Sequence, residues 1–462
     1  MKLSKPIMLI FLATFLFSCE NEIIEMNESS VESNSSVQGK NGNVKGNSNS
    51  SFMVLSKSET LASDFITSVS KYGKVIRTIP EIGIVVMKSN EANFEKNVSS
   101  IAAVKSVVPD LSINWIKPID VNPLASPGDG EFFFENGYLW GLDDIDVPEA
   151  WDAGYTGSEV RIAILDSGIN KDHPDLSPNL NTELSMSFVP GENWYVRENG
   201  GQSFFNHGSH VAGTAAGADS DYGIIGVAPN AEIMAIKVLS EFTGSGSFSG
   251  INAGIVYAAN NGADVINMSL GTTLNKDGKF YDDDGIFLGK IPSKFIQEIV
   301  LAQQRAIDYA YKNGVTIITS AGNDAMNGDG NGSTIVLPAD LNNVIAVGAT
   351  GPENTSASYS NTGRSLVDIA APGGDFVFSF SVDSMILSAG GGGASFYYAQ
   401  GTSMAAPHVA GVAALIIGKN GGEMDPHEVE KQLFKSVDKI GTNGSSVFFG
   451  KGKVNAYKAV SE

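Results

Sequence analysis

The sequence predicts an α/β protein, a doubly wound parallel sheet with helices on both faces, preceded by a small α+β domain. Three observations carry that expectation. Beyond residue 138 the apolar runs Val160–Leu165, Ile233–Val238, Val265–Met268, Val315–Thr319, Val344–Val347 and Val367–Ala370 lack polar alternation, as strands covered on both faces do. Helical patterns at 249–261 and 295–313 separate such runs, which makes the connections crossovers and the sheet parallel. Upstream, over residues 52–110, strand and helix periods alternate in the order βαββαβ.

From the N-terminus, Lys2 and Lys5 precede an apolar run from Ile7 to Phe17, about half the length needed to cross a bilayer. Residues 1–18 therefore read as a secretory signal. Cys19, the only cysteine, follows a small residue at the end of that run and resembles the lipidation site of a bacterial lipoprotein; an ordinary signal peptide with an incidental cysteine is the alternative. Residues 19–51 are rich in Asn, Ser, Gly and Glu and too poor in large apolar side chains to offset their ordering entropy, so they form a flexible tether. Residues 52–116 hold the small domain, with strands at Phe52–Leu55, Lys74–Ile79, Ile82–Met87 and Val104–Val108 and helices after Ser58 and from about Asn90. Residues 117–137, with Pro118, Pro123, Pro127 and several glycines, show no period and read as an exposed linker open to proteolysis. Residues 138–462 form the large domain.

Composition narrows the function. Thirty Lys plus Arg against 51 Asp plus Glu leave a formal charge of −21, which repels nucleic-acid backbones and anionic lipid surfaces. Nucleic acid is therefore not an expected partner, and membrane contact is expected only through a lipidated precursor. A single cysteine excludes an intrachain disulfide framework and a multi-cysteine metal site.

Three segments carry chemistry. Arg161-Ile162-Ala163-Ile164-Leu165-Asp166-Ser167-Gly168 sets a carboxylate at the C-terminal end of a buried strand, where a lone Asp is also a common helix cap. Asn206-His207-Gly208-Ser209-His210-Val211-Ala212-Gly213-Thr214 holds two of the chain's five histidines, His210 reading as structural. Gly401-Thr402-Ser403-Met404-Ala405-Ala406-Pro407-His408 begins a helix at Ser403, where backbone N–H groups and the helix dipole favour negative charge, and His408 again reads as structural. Asp, His and Ser in that order, each in its own motif, resemble the subtilisin-like serine proteases, the subtilases. Trp140-Gly141-Leu142, Gly226-Val227-Ala228-Pro229, Asn267-Met268-Ser269-Leu270-Gly271 and Ser320-Ala321-Gly322-Asn323 extend the resemblance over residues 138 to about 459. Residues 52–110 resemble the inhibitor-like propeptide of that family.

The resemblance implies a secreted serine endopeptidase that works through an acyl-enzyme and processes its own precursor. His207 would take the proton from Ser403, and Asp166 would fix the imidazole. Asn323 and the Ser403 N–H would stabilise the oxyanion. Ser269, Leu270 and Gly271, with the strand near Gly244 and Gly246, would pair with an extended substrate. Ser320, Gly322 and Val336 belong to the pocket for the residue before the scissile bond, and Val336 at its floor implies a preference for Leu, Met or Ala over Phe and Tyr. The loop 218–224, with Asp219 and Ser220, resembles one that supplies oxygens to a structural calcium in many subtilases, and Asp175 matches the carboxylate of that site; a solvated acidic turn is the alternative, and no cofactor is implied for catalysis. The propeptide would serve as intramolecular inhibitor and folding aid, and the precursor would be a membrane-anchored lipoprotein whose catalytic domain is released outside the cytoplasm.

Two departures from the family pattern stand out. Ser209 replaces the usual Thr, and insertions at about 181–203 and 272–294 border the expected cleft. A binding protein on an inactive scaffold and a transpeptidase or ligase on the same fold are the alternative functions.

Overall fold

The computed structural model describes residues 50–116, 121–124, 133–198, 200, 202–220, 222–281, 287–330, 332–440 and 446–462. The signal, Cys19, nearly all of the tether and most of the 117–137 segment lie outside the described residues.

The N-terminal unit runs strand Ser50–Ser56, helix Ser63–Val69, strands Lys74–Ile79 and Ile84–Ser89, helix Phe94–Ser99 and strand Val104–Pro109. Its four strands form an antiparallel sheet with the first strand between the third and the fourth. Period-two alternation gives each face its own cover. Val54, Val85, Met87 and Val107 pack under Phe65, Val69, Phe94 and Val98 of the unit's two helices. Met53, Leu55, Ile84, Val86 and Val108 on the other face join the core that contains the helices Phe248–Asn260 and Ser293–Lys312 of the large domain. Polar contacts border this second interface. Arg305 Nη1 donates to the carbonyls of Ser56 (3.1 Å) and Ile82 (3.2 Å), and Ser106 Oγ donates to Glu298 Oε2 (3.0 Å). Asp110 accepts from Ser249 N (3.0 Å) and Ser249 Oγ (2.6 Å) in the first turn of helix 248–260, and burial pushes its carboxyl above the usual range.

The large domain is built on a seven-stranded parallel sheet in the order Ile369–Pro372, Ile345–Thr350, Thr316–Ser320, Val265–Met268, Arg161–Asp166, Glu232–Lys237, Met186–Ser187. Helices His207–Ala216 and Thr402–Lys419 cover one face through Val211, Ala215, Val409 and Ala413. Helices 248–260 and 293–312 cover the other through Ile251, Ile255, Ile299 and Ala306. This is the doubly wound arrangement that the apolar runs predict. The edge strand Met186–Ser187 has no counterpart in the sequence reading, because two residues are too few to show a period.

The 117–137 segment needs a correction. The sequence predicts it to be exposed and without regular structure; Val121 and Pro123 are exposed, but Val121–Pro123 is a strand. It pairs antiparallel with Phe396–Ala399, which in turn pairs with Ile386–Ala389. Leu124 N donates to Phe396 O (3.0 Å). Phe133 is 1% exposed, meets the Phe396 ring edge-on at 4.9 Å and donates its N–H to Gly223 O (2.8 Å). Proline at the end of an edge strand costs no ladder bond, so Pro123 does not argue against the pairing.

Candidate active site

Parallel strands deliver their C-terminal ends to one rim of the sheet, and the chemistry-bearing residues collect there. Asp166 ends strand 161–166, is 1% exposed and accepts the Ser167 N–H at 2.6 Å. Both of its carboxylate oxygens lie 2.9 Å from His207 Nδ1, which donates to them. His207 opens a helix whose cap is Asn206. The Asn206 Oδ1 accepts from Ser209 N (2.8 Å) and Ser209 Oγ (2.7 Å), and Ser209 Oγ accepts from Asn170 N (2.9 Å). Ser209 thus ties the His207 turn to the Asp166 loop with its hydroxyl alone. A Cβ on Gly208 would stand 2.3 Å from Gly168 O, so only glycine lets the helix start so close to that loop.

Ser403 is the second residue of helix 402–419 and is nearly buried. Its Oγ donates to Ser269 O (3.3 Å), while Ser269 Oγ donates to Ser403 O (2.7 Å) and accepts from Asn267 Nδ2 (2.9 Å). The sequence reading has His207 taking the Ser403 proton. Here the hydroxyl is turned to the Ser269 carbonyl, and His207 Nε2 is buried with no hydrogen-bond partner. Such contacts tighten when substrate arrives in many enzymes. Asn323 is held by its oxygen: Oδ1 accepts from Thr402 N (2.9 Å) and Thr402 Oγ1 (2.7 Å), which leaves Nδ2 to donate.

The chain's own Ser112–Asn114 lies along one side of the cleft, antiparallel to Ser245–Ser247. Trp115 continues it, donating its N–H to Gly244 O (3.1 Å) and accepting from Gly271 N (3.0 Å). Its Nε1 donates to Gly246 O (2.9 Å), and its ring meets Phe248 edge-on at 4.8 Å. Beyond Trp115 a small cavity is lined by Gly271, Ser320, Gly322, Asn323, Val336 and Ser403, together with Thr272, Thr273, Asp324 and Thr402. Val336 is buried and faces Thr273 across an antiparallel pair. Leu270 is also buried, and its carbonyl accepts from Ser320 Oγ (3.3 Å).

A subtilase family profile matches residues 157–452, more than half of the chain. The chain belongs to the subtilase family. It is 37% identical to subtilisin E of Bacillus subtilis over 321 residues, covering 69% of this chain and 70% of that protein. It is 31% identical over 397 residues to the thermophilic serine proteinase of Bacillus sp. (strain AK1), covering 83% of each. The crystal structure of a mutant of the epidermin leader peptide processing serine protease from Staphylococcus aureus superposes with a TM-score of 0.73 at 25% identity, over 90% of this chain and all of that one. This subtilase is accordingly a serine peptidase acting on proteins or peptides.

The other histidines of the motifs are structural in this subtilase. His210 Nε2 donates to the carbonyls of Ile386 and Tyr397 (3.0 Å each), and burial pushes its pKa down to about 3. His408 Nδ1 donates to Met404 O (2.8 Å), and burial lowers it to about 4. Of the three residues named for the expected calcium site, two come together. Asp175 is fully buried, and Ser220 Oγ lies 2.7 Å from its Oδ1 and 3.3 Å from Tyr222 O, so three hard oxygens converge. Asp175 Oδ2 accepts the Ile224 N–H (3.0 Å), and burial raises its carboxyl to about 6. Asp219 is exposed. Among the described residues no three His, Cys, Asp or Glu side chains gather as a metal cluster, so a cation here would rest on one carboxylate, a hydroxyl and carbonyls.

Sequence reasoning passes over Trp115 and Thr402. Thr402 stands beside Ser403 in its own motif, but its bonds to Asn323 join positions that are 79 apart in the chain. Trp115 has one available signal, a large aromatic residue just before a proline-rich stretch.

Proposed function

We propose that this subtilase is an exported serine endopeptidase that attacks peptide bonds with Ser403 and is self-processed from a precursor. In the reaction Ser403 Oγ leaves the Ser269 carbonyl and passes its proton to His207 Nε2 as it attacks the substrate carbonyl. Asp166, already bonded to Nδ1, holds the tautomer that keeps Nε2 an acceptor and stabilises the imidazolium that forms. Asn323 Nδ2 and the Ser403 N–H bind the oxyanion. His207 then returns the proton to the leaving amine, and water hydrolyses the acyl-enzyme.

The observation that carries self-processing is the chain's own path. Residues 112–115 pair with one wall of the cleft, and residues 121–123 pair with the strand that leads into Ser403. The bond cut in maturation is therefore assigned between residues 116 and 121. Residues 52–116 act as the inhibitor, with Trp115 as its anchor in the cleft. Asp175, Ser220 and the Tyr222 carbonyl would hold a calcium ion, which would supply charge neutralisation for the buried carboxylate and no chemistry. Lipidation at Cys19 would keep the precursor at the membrane, and the cut would release a soluble enzyme.

The test is Ser403→Ala in the full chain, produced in a protease-deficient host. Casein hydrolysis should vanish and the precursor should stay uncut at the membrane, whereas N-terminal sequencing of the soluble wild-type enzyme should give a start within 117–121. Normal maturation of Ser403→Ala would sink self-processing. An active wild-type form that still carries Cys19 would sink the release.

A further inference from the structure

Resting on the endopeptidase reading, we propose that Glu192, Lys237 and Glu241 are positioning residues for Asp166 and His207: their buried ion cluster locks together two backbone segments that grip the Asp166 turn. Lys237 ends strand 232–237 directly opposite Asp166, the last residue of the neighbouring strand. It is fully buried, and its Nζ lies 2.8 Å from Glu192 Oε2 and 3.2 Å from Glu241 Oε1. Both Glu241 oxygens accept the Arg197 N–H (3.2 Å each), and Glu192 Oε2 accepts the Glu241 N–H (3.1 Å). Glu192 and Arg197 belong to the insertion at about 181–203, whereas Glu241 follows strand 232–237, so the cluster ties the one to the other. A buried ion pair adds little stability over apolar packing of the same volume, and its best-attested use is to fix a register.

The two tied segments hold the Asp166 turn from opposite sides. On one side the Asp166 carbonyl accepts from Val238 N (2.9 Å) and Leu239 N (3.1 Å). On the other, Val196 N donates to Ile169 O (3.1 Å). Trp194 O lies 2.8 Å from where a Cβ on Gly168 would stand, and Lys237 Nζ lies 3.4 Å from the same point. Gly168 has a φ of 94°, so both its conformation and its surroundings exclude a side chain there. Between the two clamps sits Ser167, whose Oγ accepts from Asn206 Nδ2 and Gly208 N (3.2 Å each) and so fixes the start of the His207 helix. Loosening the cluster would displace Asp166 against His207 through the backbone, with no contact to substrate lost.

Lys237→Met would strand two carboxylates in the interior and unsettle the fold as well. The test is therefore Glu192→Ala, which cuts the link to the insertion while Lys237 keeps Glu241 as its partner. With self-processed enzyme counted by active-site titration, this change should lower kcat about tenfold and leave KM for a chromogenic peptide within about twofold, the pattern of displaced reacting groups. A second readout needs no activity. In the Ser403→Ala precursor, the low-field proton NMR signal of His207 Nδ1–H, displaced by its bond to Asp166, should move upfield when Glu192→Ala is added. An unchanged kcat, a raised KM at constant kcat, or a low-field signal identical with and without Glu192 would each overturn the inference. A wild-type enzyme that cleaves neither casein nor peptide would overturn the endopeptidase reading instead, and the NMR comparison would still decide whether the cluster positions Asp166 and His207.

Discussion

Trp115→Ala separates an inhibitor that is anchored by one side chain from one that is held by its whole interface. The indole is 2% exposed, donates to Gly246 O and rests on Phe248. Truncating a buried Trp of this kind costs about 3–5 kcal/mol, its hydrogen bond included. At about 1.4 kcal/mol per decade, the cut N-terminal fragment should bind the enzyme more weakly by about 10²-fold to about 4 × 10³-fold. The contacts of Arg305, Glu298 and Asp110 remain, so docking of the α+β unit should weaken without disappearing. Trp115→Phe keeps a ring on Phe248 but loses the Nε1 bond, and should cost only about 1 kcal/mol. The assay is size-exclusion chromatography of freshly processed full-length protein, read alongside the lag before casein hydrolysis. The wild-type fragment should co-elute with the enzyme and give a long lag; the Ala variant should release it and give a short one. Co-elution and lag unchanged in Trp115→Ala would show that the cleft segment contributes nothing to inhibition.

Asn323→Ala should lower kcat by about 10²- to 10³-fold and leave KM nearly unchanged, because Nδ2 is needed only once the oxyanion forms; a rise in KM with constant kcat would contradict that role. Val336→Gly should open the pocket floor and improve Phe and Tyr relative to Leu by about 1–3 kcal/mol in a peptide library, and a wild-type enzyme that already accepts Phe and Tyr as well as Leu would refute the short pocket. Burial raises Asp175 to about 6, so its contribution to stability is full below its unfolded pKa, near about 4, and is lost as pH rises through about 6. Calcium favours the ionised form, so the gain in melting temperature from added CaCl2 should grow between about pH 5 and 7.5; a gain of zero throughout would remove the calcium site.

The parallel sheet is legible because its strands are apolar on both faces, and the Asp, His and Ser motifs because each concentrates rare or small residues at a strand end or helix start. What escapes reading is contact made by ordinary residues far apart in sequence. Nothing in the local pattern says that Ser403 Oγ turns to Ser269 O rather than to His207 Nε2, since that depends on a side-chain torsion. Val121–Pro123 reads as coil because three residues beside prolines carry no period, and its partner strand, at 396–399, lies far along the chain.

If the precursor is cut within this span as proposed, the double anchoring of residues 112–115 and 121–124 bears on when activation would become irreversible. A bond within a span pinned on both sides can be hydrolysed without its new ends drifting apart. The liberated amine then stays beside the acyl carbon at an effective concentration that a free product never reaches, as high as about 10⁵ M in well-oriented systems. Under those conditions resynthesis competes with hydrolysis, and cut and uncut chains interconvert. Water wins only when one end lets go. The three-residue pairing of 121–123 with 397–399, small beside the interface of the α+β unit, is the end suited to do so first. On that proposal the step that commits the precursor to becoming an enzyme would be the loss of a short edge strand, and the speed of maturation would report how long that strand holds.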